Sequence, residues 1–202
     1  MADEVIDIYD SEMNLLGTAM KSQAHREGLW HKAFHCWIVD GDKVWLQLRG
    51  KDKNLYPGLL DISAAGHLGT GETAKQAGVR EIEEELGLTV REEDFTKLFT
   101  YRLVEDTPDM FVREFCPTYV LKSAWNLKDV IMQPDEVDGV FEARISDLIA
   151  LFGGDEPSVT IRGYVRGSTQ PAERSVKVEN FVPHGQNYYL KIFSTLDRLS
   201  DK

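Results

Sequence analysis

The stretch from Gly66 to Leu88 constrains this chain more than any other. Its first part, Gly66-His-Leu-Gly-Thr-Gly-Glu72, has the glycine content of a loop, and the residues after it read as a helix. Thr73 and Gln76 have capping-box spacing, and Gly87 stands where a helix ends in the left-handed region. At roughly 100° per residue, Glu81, Glu84 and Glu85 fall on one face. Val79, Ile82 and Leu86 fall on another, with the spacing of a core stripe. Ala74, Ala77 and Gly78 share the glutamate side. Gly78 costs about 1 kcal/mol relative to alanine inside a helix. A close approach by another part of the chain, or by a ligand, is expected there.

Like charges at i,i+4 destabilise a helix by roughly 0.2–0.5 kcal/mol per pair. On a solvated face that cost is small, whereas in a cleft it is severe unless cations sit among the carboxylates. Mg²⁺ suits such a place, because it takes oxygen ligands while keeping waters and substrate phosphates in its shell. The stretch thus reads either as a carboxylate-held cation site that activates water at a phosphoryl group or as a solvated acidic face. Spacing alone does not separate the two. Arg80, one turn before Glu84, fits either reading, as a residue that holds the carboxylate or as an ordinary surface ion pair.

The chain has 202 residues, 42% hydrophobic and 28% charged, the balance of a globular protein built as one domain with embellishments. A net charge of −11 argues against a nucleic-acid or membrane-surface partner, since both need a positive field. A small phosphorylated substrate remains compatible, because bound cations reverse the local sign of an acidic pocket. The N-terminus has neither the basic nor the apolar region of a signal peptide, and no apolar run reaches the roughly 20 residues of a bilayer span. Cys36 and Cys116 read as buried free thiols in a reducing cytosol, so a cytoplasmic location is expected.

Alternation and turn residues predict strands at Val5–Tyr9 and Leu15–Met20, then a hairpin of Ala33–Val39 and Val44–Arg49 around Asp40-Gly41-Asp42. Further strands are expected near Leu60–Ser63, Phe95–Val104, Phe111–Leu121, Val137–Ala143, Val159–Val165 and Ser175–Phe181. Besides the helix ending at Leu86, helices are expected at Ser146–Phe152 and from about Gln186 to Leu199. Mixed strands with few helices point to an α/β or α+β layered sandwich.

Gly66, Glu72, Arg80, Glu81, Ile82, Glu84, Glu85, Gly87 and Leu88 match every specified position of G-x5-E-x7-R-E-U-x-E-E-x-G-U, with U aliphatic. The stretch therefore resembles the box of the Nudix (MutT-like) hydrolase superfamily. The resemblance implies an α/β/α sandwich with a mixed β-sheet, to which this chain adds an N-terminal β-hairpin and a C-terminal β/α extension. It implies Mg²⁺, or Mn²⁺, held by Glu81, Glu84 and Glu85, with Glu72 and Arg80 in support. The implied reaction is water attack on a nucleoside diphosphate derivative or related small diphosphate.

Asp7-Ile8-Tyr9-Asp10, His31-Lys32-Ala33-Phe34, Leu46-Gln47-Leu48-Arg49, Lys53, Pro57-Gly58, Ala65-Gly66-His67, Tyr101-Arg102 and Glu114-Phe115-Cys116-Pro117 extend the resemblance over most of residues 1–152. They look like the Nudix branch of type 1 isopentenyl-diphosphate isomerase. By that comparison His31, His67 and Glu114, with His25 across a one-residue gap, stand at or near the ligands of a second metal. Two departures matter. The isomerase cysteine position is Ala65, and a second acidic ligand position is Val112. The isomerases tend to degrade the box, whereas here it is whole. The expected chemistry is therefore hydrolysis on an isomerase-like frame; the alternative is an isomerase-like protein that acts on or binds a prenyl diphosphate.

Arg49, Lys53 and Arg102, with Gly66 in the loop, are candidates for contact with substrate phosphate, and Glu136 is a candidate general base or metal ligand from a loop. His35, Trp30, Trp45 and Trp125 read as packing residues. The whole of 1–202 is expected to form a single domain: hairpin and lead-in at 1–30, core at 31–153 and extension at 154–202. The extension either covers one end of the pocket or makes a homodimer contact.

Overall fold

The computed structural model describes residues 3–200 apart from positions 54, 109 and 186. The fold is organised by a hairpin that does not stay closed. Strands β3 (His31–Asp40) and β4 (Lys43–Arg49) pair only at Val39–Val44 and Asp40–Lys43 and then part. Strand β5 (Leu60–Asp61) runs along β4, and β6 (Ala64–His67) runs along β3, so the gap is filled from both sides. Ser63 sits at the fork. Its hydroxyl donates to the Trp45 carbonyl at 2.6 Å and accepts from the Ile38 N–H at 2.9 Å. Those bonds answer the backbone groups that the open hairpin leaves without a ladder partner. The single strand expected at Leu60–Ser63 is thus two short strands on different neighbours.

The two-stranded sheet is β1 (Val5–Tyr9) with β2 (Leu15–Met20), antiparallel as the alternation predicts. Asp10 builds its turn by accepting the backbone N–H of Glu12 and of Asn14. The remaining strands are β7 (Thr96–Asp106), β8 (Phe111–Lys122), β9 (Val137–Arg144), β10 (Val159–Val165) and β11 (Ala172–Val176). The large sheet runs β11-β10-β9-β4-β3-β8-β7. Among the described strands only β3 and β8 pair with each other in parallel, which makes the sheet mixed.

Central β4 is buried on both faces, so its alternation separates two cores rather than core from solvent. Trp45, with Phe34, Cys36 and Ile38 of β3, packs against Ala77, Ile82 and Leu86 of helix α2 (Ala74–Leu86). Leu46 and Leu48, with Trp37, face α3 (Ile145–Gly153) and α4 (Tyr188–Ser200) on the other side. This is an α/β/α layering with helices on both faces of a mixed sheet.

Two segments differ from the expectation. Residues 21–27 form a helix, α1, which has no apolar repeat to reveal it and closes on Gly28 at φ 66°. The strand expected at Ser175–Phe181 is β11 at Ala172–Val176, and a 3₁₀ turn at Val178–Asn180 follows it, with the Asn180 side chain accepting the Lys177 N–H. The last helix begins at Tyr188; the expected start at Gln186 lies outside the described residues. Residues beyond 154 are no appendage to the fold, since β10 and β11 extend the sheet and α4 buries Tyr188, Tyr189, Ile192, Phe193 and Leu196. Among the described residues no helix is long and apolar enough to cross a membrane.

Candidate active site

Helix α2 begins at Thr73 with the full capping box and ends at Gly87, φ 64°. Gly78 has no side chain because the Phe34 ring occupies that space, so the close approach expected there comes from the core. Arg80 ties the acidic face together. Its Nε and Nη2 donate to the two Glu72 oxygens at 3.1 and 2.9 Å, and Nη2 also donates to the His67 carbonyl at 3.0 Å. Its Nη1 donates to Glu81 at 2.7 Å and to Glu84 at 3.3 Å. The Gly69 N–H donates to Glu72 at 2.8 Å, locking the glycine loop to the same pair.

The three box glutamates differ in environment. Glu84 is exposed, Glu81 is half-buried, and Glu85 is buried. A Cβ at Gly66 would overlap the Glu81 carboxylate, so the glycine leaves the space that this carboxylate fills. Glu85 lies in the fork of the hairpin, where Gln47 Nε2 donates to it at 3.0 Å and the Ala65 N–H at 3.4 Å. Burial, with the Glu81 charge beside it, pushes the Glu85 carboxyl up to about 8. Burial raises Glu81 as well. Two carboxylates that both resist ionisation side by side form a place where a cation offsets a large electrostatic cost.

A second cluster lies across β6. Successive side chains of a strand point to opposite faces, so His67 turns away from the α2 side that Gly66 faces. There its ring meets His25 of α1, His31 of β3 and Glu114 of β8. One ligand atom from each of the four lies within 4.8 Å of the others. Glu114 Oε1 is 3.4 Å from His31 Nε2 and 3.3 Å from His67 Nε2. The His31 Nδ1 is 2.8 Å from the Leu29 carbonyl, which leaves its Nε2 toward the cluster. His67 Nε2 is buried and makes no hydrogen bond of acceptable geometry. Burial and the neighbouring imidazoles pull His25 down to about 4, and burial lowers His67. Imidazole nitrogens gathered around a carboxylate oxygen are the donor set that a divalent transition metal takes. The donors and the orphaned His67 nitrogen fit such an ion.

The basic candidates are committed to partners. Arg49 donates to Asp61 at 2.7 Å and to the Leu55 carbonyl at 3.1 and 3.0 Å. The Lys53 ammonium pairs with Glu136, the loop carboxylate singled out in the sequence. Arg102 lies 4.2 Å over the Trp30 ring, which in turn stacks on Phe115. Sequence reasoning missed Gln47, Asp61, His184 and Tyr188. Asp61 accepts His184 Nε2 at 2.6 Å, and the Tyr188 hydroxyl is 2.8 Å from His35 Nδ1. The only signal in the sequence was a glutamine and an aspartate inside apolar strands, two residues that strand interiors seldom bury without a purpose.

Known proteins carry the same organisation. A family model of the NUDIX domain matches residues 29–160. An uncharacterised Nudix hydrolase of Clostridium acetobutylicum is 30% identical, over 97% of this chain and 98% of its own length. An isopentenyl-diphosphate Delta-isomerase of Cutibacterium acnes is 31% identical over 68% of this chain and 72% of its own. In fold, a crystal structure from Deinococcus radiodurans superposes with a TM-score of 0.59 at 22% identity, covering 76% of this chain and 91% of that one. A MutT/nudix family protein of Enterococcus faecalis gives a TM-score of 0.55 at 13% identity, over 85% of this chain and 62% of that one. The loop, helix and acidic face described above therefore have their family: the chain belongs to the Nudix family.

Proposed function

We propose that this chain hydrolyses a diphosphate linkage in a nucleoside diphosphate derivative or related small diphosphate, with Mg²⁺ or Mn²⁺ held by Glu81, Glu84 and Glu85. The observation that carries this reading is Glu85, buried beside Glu81 and pushed up to about 8, a carboxylate that a bound cation would bring into its ionised state. Such a cation, when bound, polarises the phosphoryl group and lowers the pKa of water. The chain's own residues supply the orientation. Gln47 and the Ala65 N–H aim Glu85, while Arg80, itself gripped by Glu72, aims Glu81. Lys53 and Arg49 border this region, and the Lys53–Glu136 pair would open for Lys53 to meet a phosphate. The two buried free thiols suit a reducing cytosol.

A panel of nucleotide sugars, dinucleotides, nucleoside triphosphates, coenzyme A, thiamine diphosphate and prenyl diphosphates tests the reading. Metal-dependent release of phosphate or nucleotide is expected from at least one class, and its loss in Glu84→Gln. Turnover that is equal in Glu84→Gln overturns the assignment.

The His25, His31, His67 and Glu114 cluster favours a second reading, movement of a double bond in a prenyl diphosphate on this isomerase-like frame. Ala65 argues against it, since that position offers no thiol for proton transfer. Incubation with isopentenyl diphosphate is expected to give no dimethylallyl isomer; its appearance would reverse the order of the two readings.

A further inference from the structure

A cavity of about 660 Å³ opens between Tyr56 and Leu59, the end of β7 and the stretches 178–185 and 187–190. Its volume falls in the range of small-molecule sites, roughly 300–1,000 Å³. Leu59, Phe152, Phe181 and Leu190 contribute apolar wall, and among the described residues no lysine or arginine lines it. The charged lining residues are Glu105 and Glu179, so the cavity repels anions and does not suit a phosphate. Tyr56, in the left-handed region at φ 51°, reaches across to the Glu105 carboxylate.

The polar part of this cavity is built from the inside. His184 lines it while buried, with Nε2 on Asp61 Oδ1 at 2.6 Å, and Asp61 Oδ2 accepts Arg49 at 2.7 Å. Burying an imidazole and a carboxylate, with a half-buried guanidinium on them, costs stability that an idle crevice has no reason to bear. The same network leads to the acidic site. Asp61 is the register partner of Gln47 across one strand spacing of about 5 Å, and Gln47 donates to Glu85 at 3.0 Å. Arg49 also grips the Leu55 carbonyl, which fixes the loop that walls the cavity.

We propose that this cavity holds the non-phosphate part of the substrate, an uncharged and mainly apolar group, while the diphosphate lies toward Glu85. The proposal rests on the diphosphate-hydrolase reading, and it narrows the substrate to diphosphates bearing an apolar substituent.

The test uses non-hydrolysable methylenebisphosphonate monoesters with methyl, butyl and octyl chains, titrated calorimetrically into the full chain with Mg²⁺. Affinity is expected to rise roughly fourfold per methylene until the cavity is filled. Leu59→Trp, from the loop, and Leu190→Trp, from α4, are each expected to bring the octyl-to-methyl affinity ratio toward one. Affinity independent of chain length in the unmodified protein overturns the proposal, as does a ratio that survives in both tryptophan variants. Turnover of the matching diphosphate monoesters is measured separately. Chain-dependent binding without cleavage supports the cavity and removes the hydrolase reading; cleavage without chain dependence removes the cavity and keeps the hydrolase.

Discussion

The Glu81 carboxylate occupies the place where any side chain at position 66 would begin. Gly66 and Glu81 come from different elements, β6 and α2, so the glycine sets how close the acidic helix lies to the strand. Gly66→Ala must push Glu81 aside or move the helix. Displacement of a reacting geometry by about 1 Å can cost a hundredfold in rate. The variant is therefore expected to lose about two orders of magnitude in metal-dependent turnover while keeping the wild-type circular dichroism spectrum. Full turnover in Gly66→Ala would show that the position of Glu81 does not matter to the reaction.

Glu85 is costly to ionise where it lies, beside Glu81 and away from water. Glu85→Gln keeps the shape and removes the charge, with an amide in place of the carboxylate that Gln47 and the Ala65 N–H address. In chelator at pH 8 the variant is expected to melt at or above the wild-type temperature. Added Mg²⁺ should raise the wild-type melting temperature and leave that of the variant nearly fixed, because ligand binding to the folded state alone stabilises it. A variant that melts several degrees lower in chelator and still responds to Mg²⁺ would mean that Glu85 is structural.

Much of this was legible before the fold was known, and the reason is locality. The helix from Ala74 to Leu86 with its capping box, and the acidic face on it, are set by residues within one or two turns of each other. The hairpin turn at Asp40-Gly41-Asp42 is equally local. The fork of that hairpin was not legible, because Ser63 creates it by bonding to two strands at once. The Asp61–His184 pair joins residues 123 positions apart, and no periodicity reports a contact of that kind. Helix α1, which carries His25 into the histidine cluster, is short and polar, so only its packing reveals it. The alternation in β4 encodes a strand, but its two-sided core follows from helices that the strand itself does not encode.

The histidine cluster predicts two classes of metal site with different chemistry. The imidazole-rich group should prefer Zn²⁺, whereas the carboxylate group should accept Mg²⁺ or Mn²⁺. His31→Ala removes a fully buried member of the cluster and is expected to weaken the tighter class of Zn²⁺ binding at least tenfold, while Mg²⁺ titration changes little. Direct metal analysis after dialysis reads the difference. Equal loss of both classes would mean that the two clusters act as one site.

Asp61 gives the pH prediction. Burial works to raise its carboxyl, but the His184 ring and the Arg49 guanidinium outweigh burial and hold it below its ordinary value of 3.8. As pH falls below 3.8, the unfolded chain takes up the Asp61 proton before the folded protein does. The stabilisation is thus fully present above that value and drains away as pH falls toward the folded pKa. Asp61→Asn leaves Arg49 and His184 without their carboxylate, and breaking a buried pair of this kind costs about 3–5 kcal/mol. Urea denaturation is expected to find that deficit in full between about pH 5 and 7 and to find it shrinking below about pH 4. A deficit that stays constant down to about pH 2.5 would mean that the aspartate contributes packing and hydrogen bonding but no charge to this network.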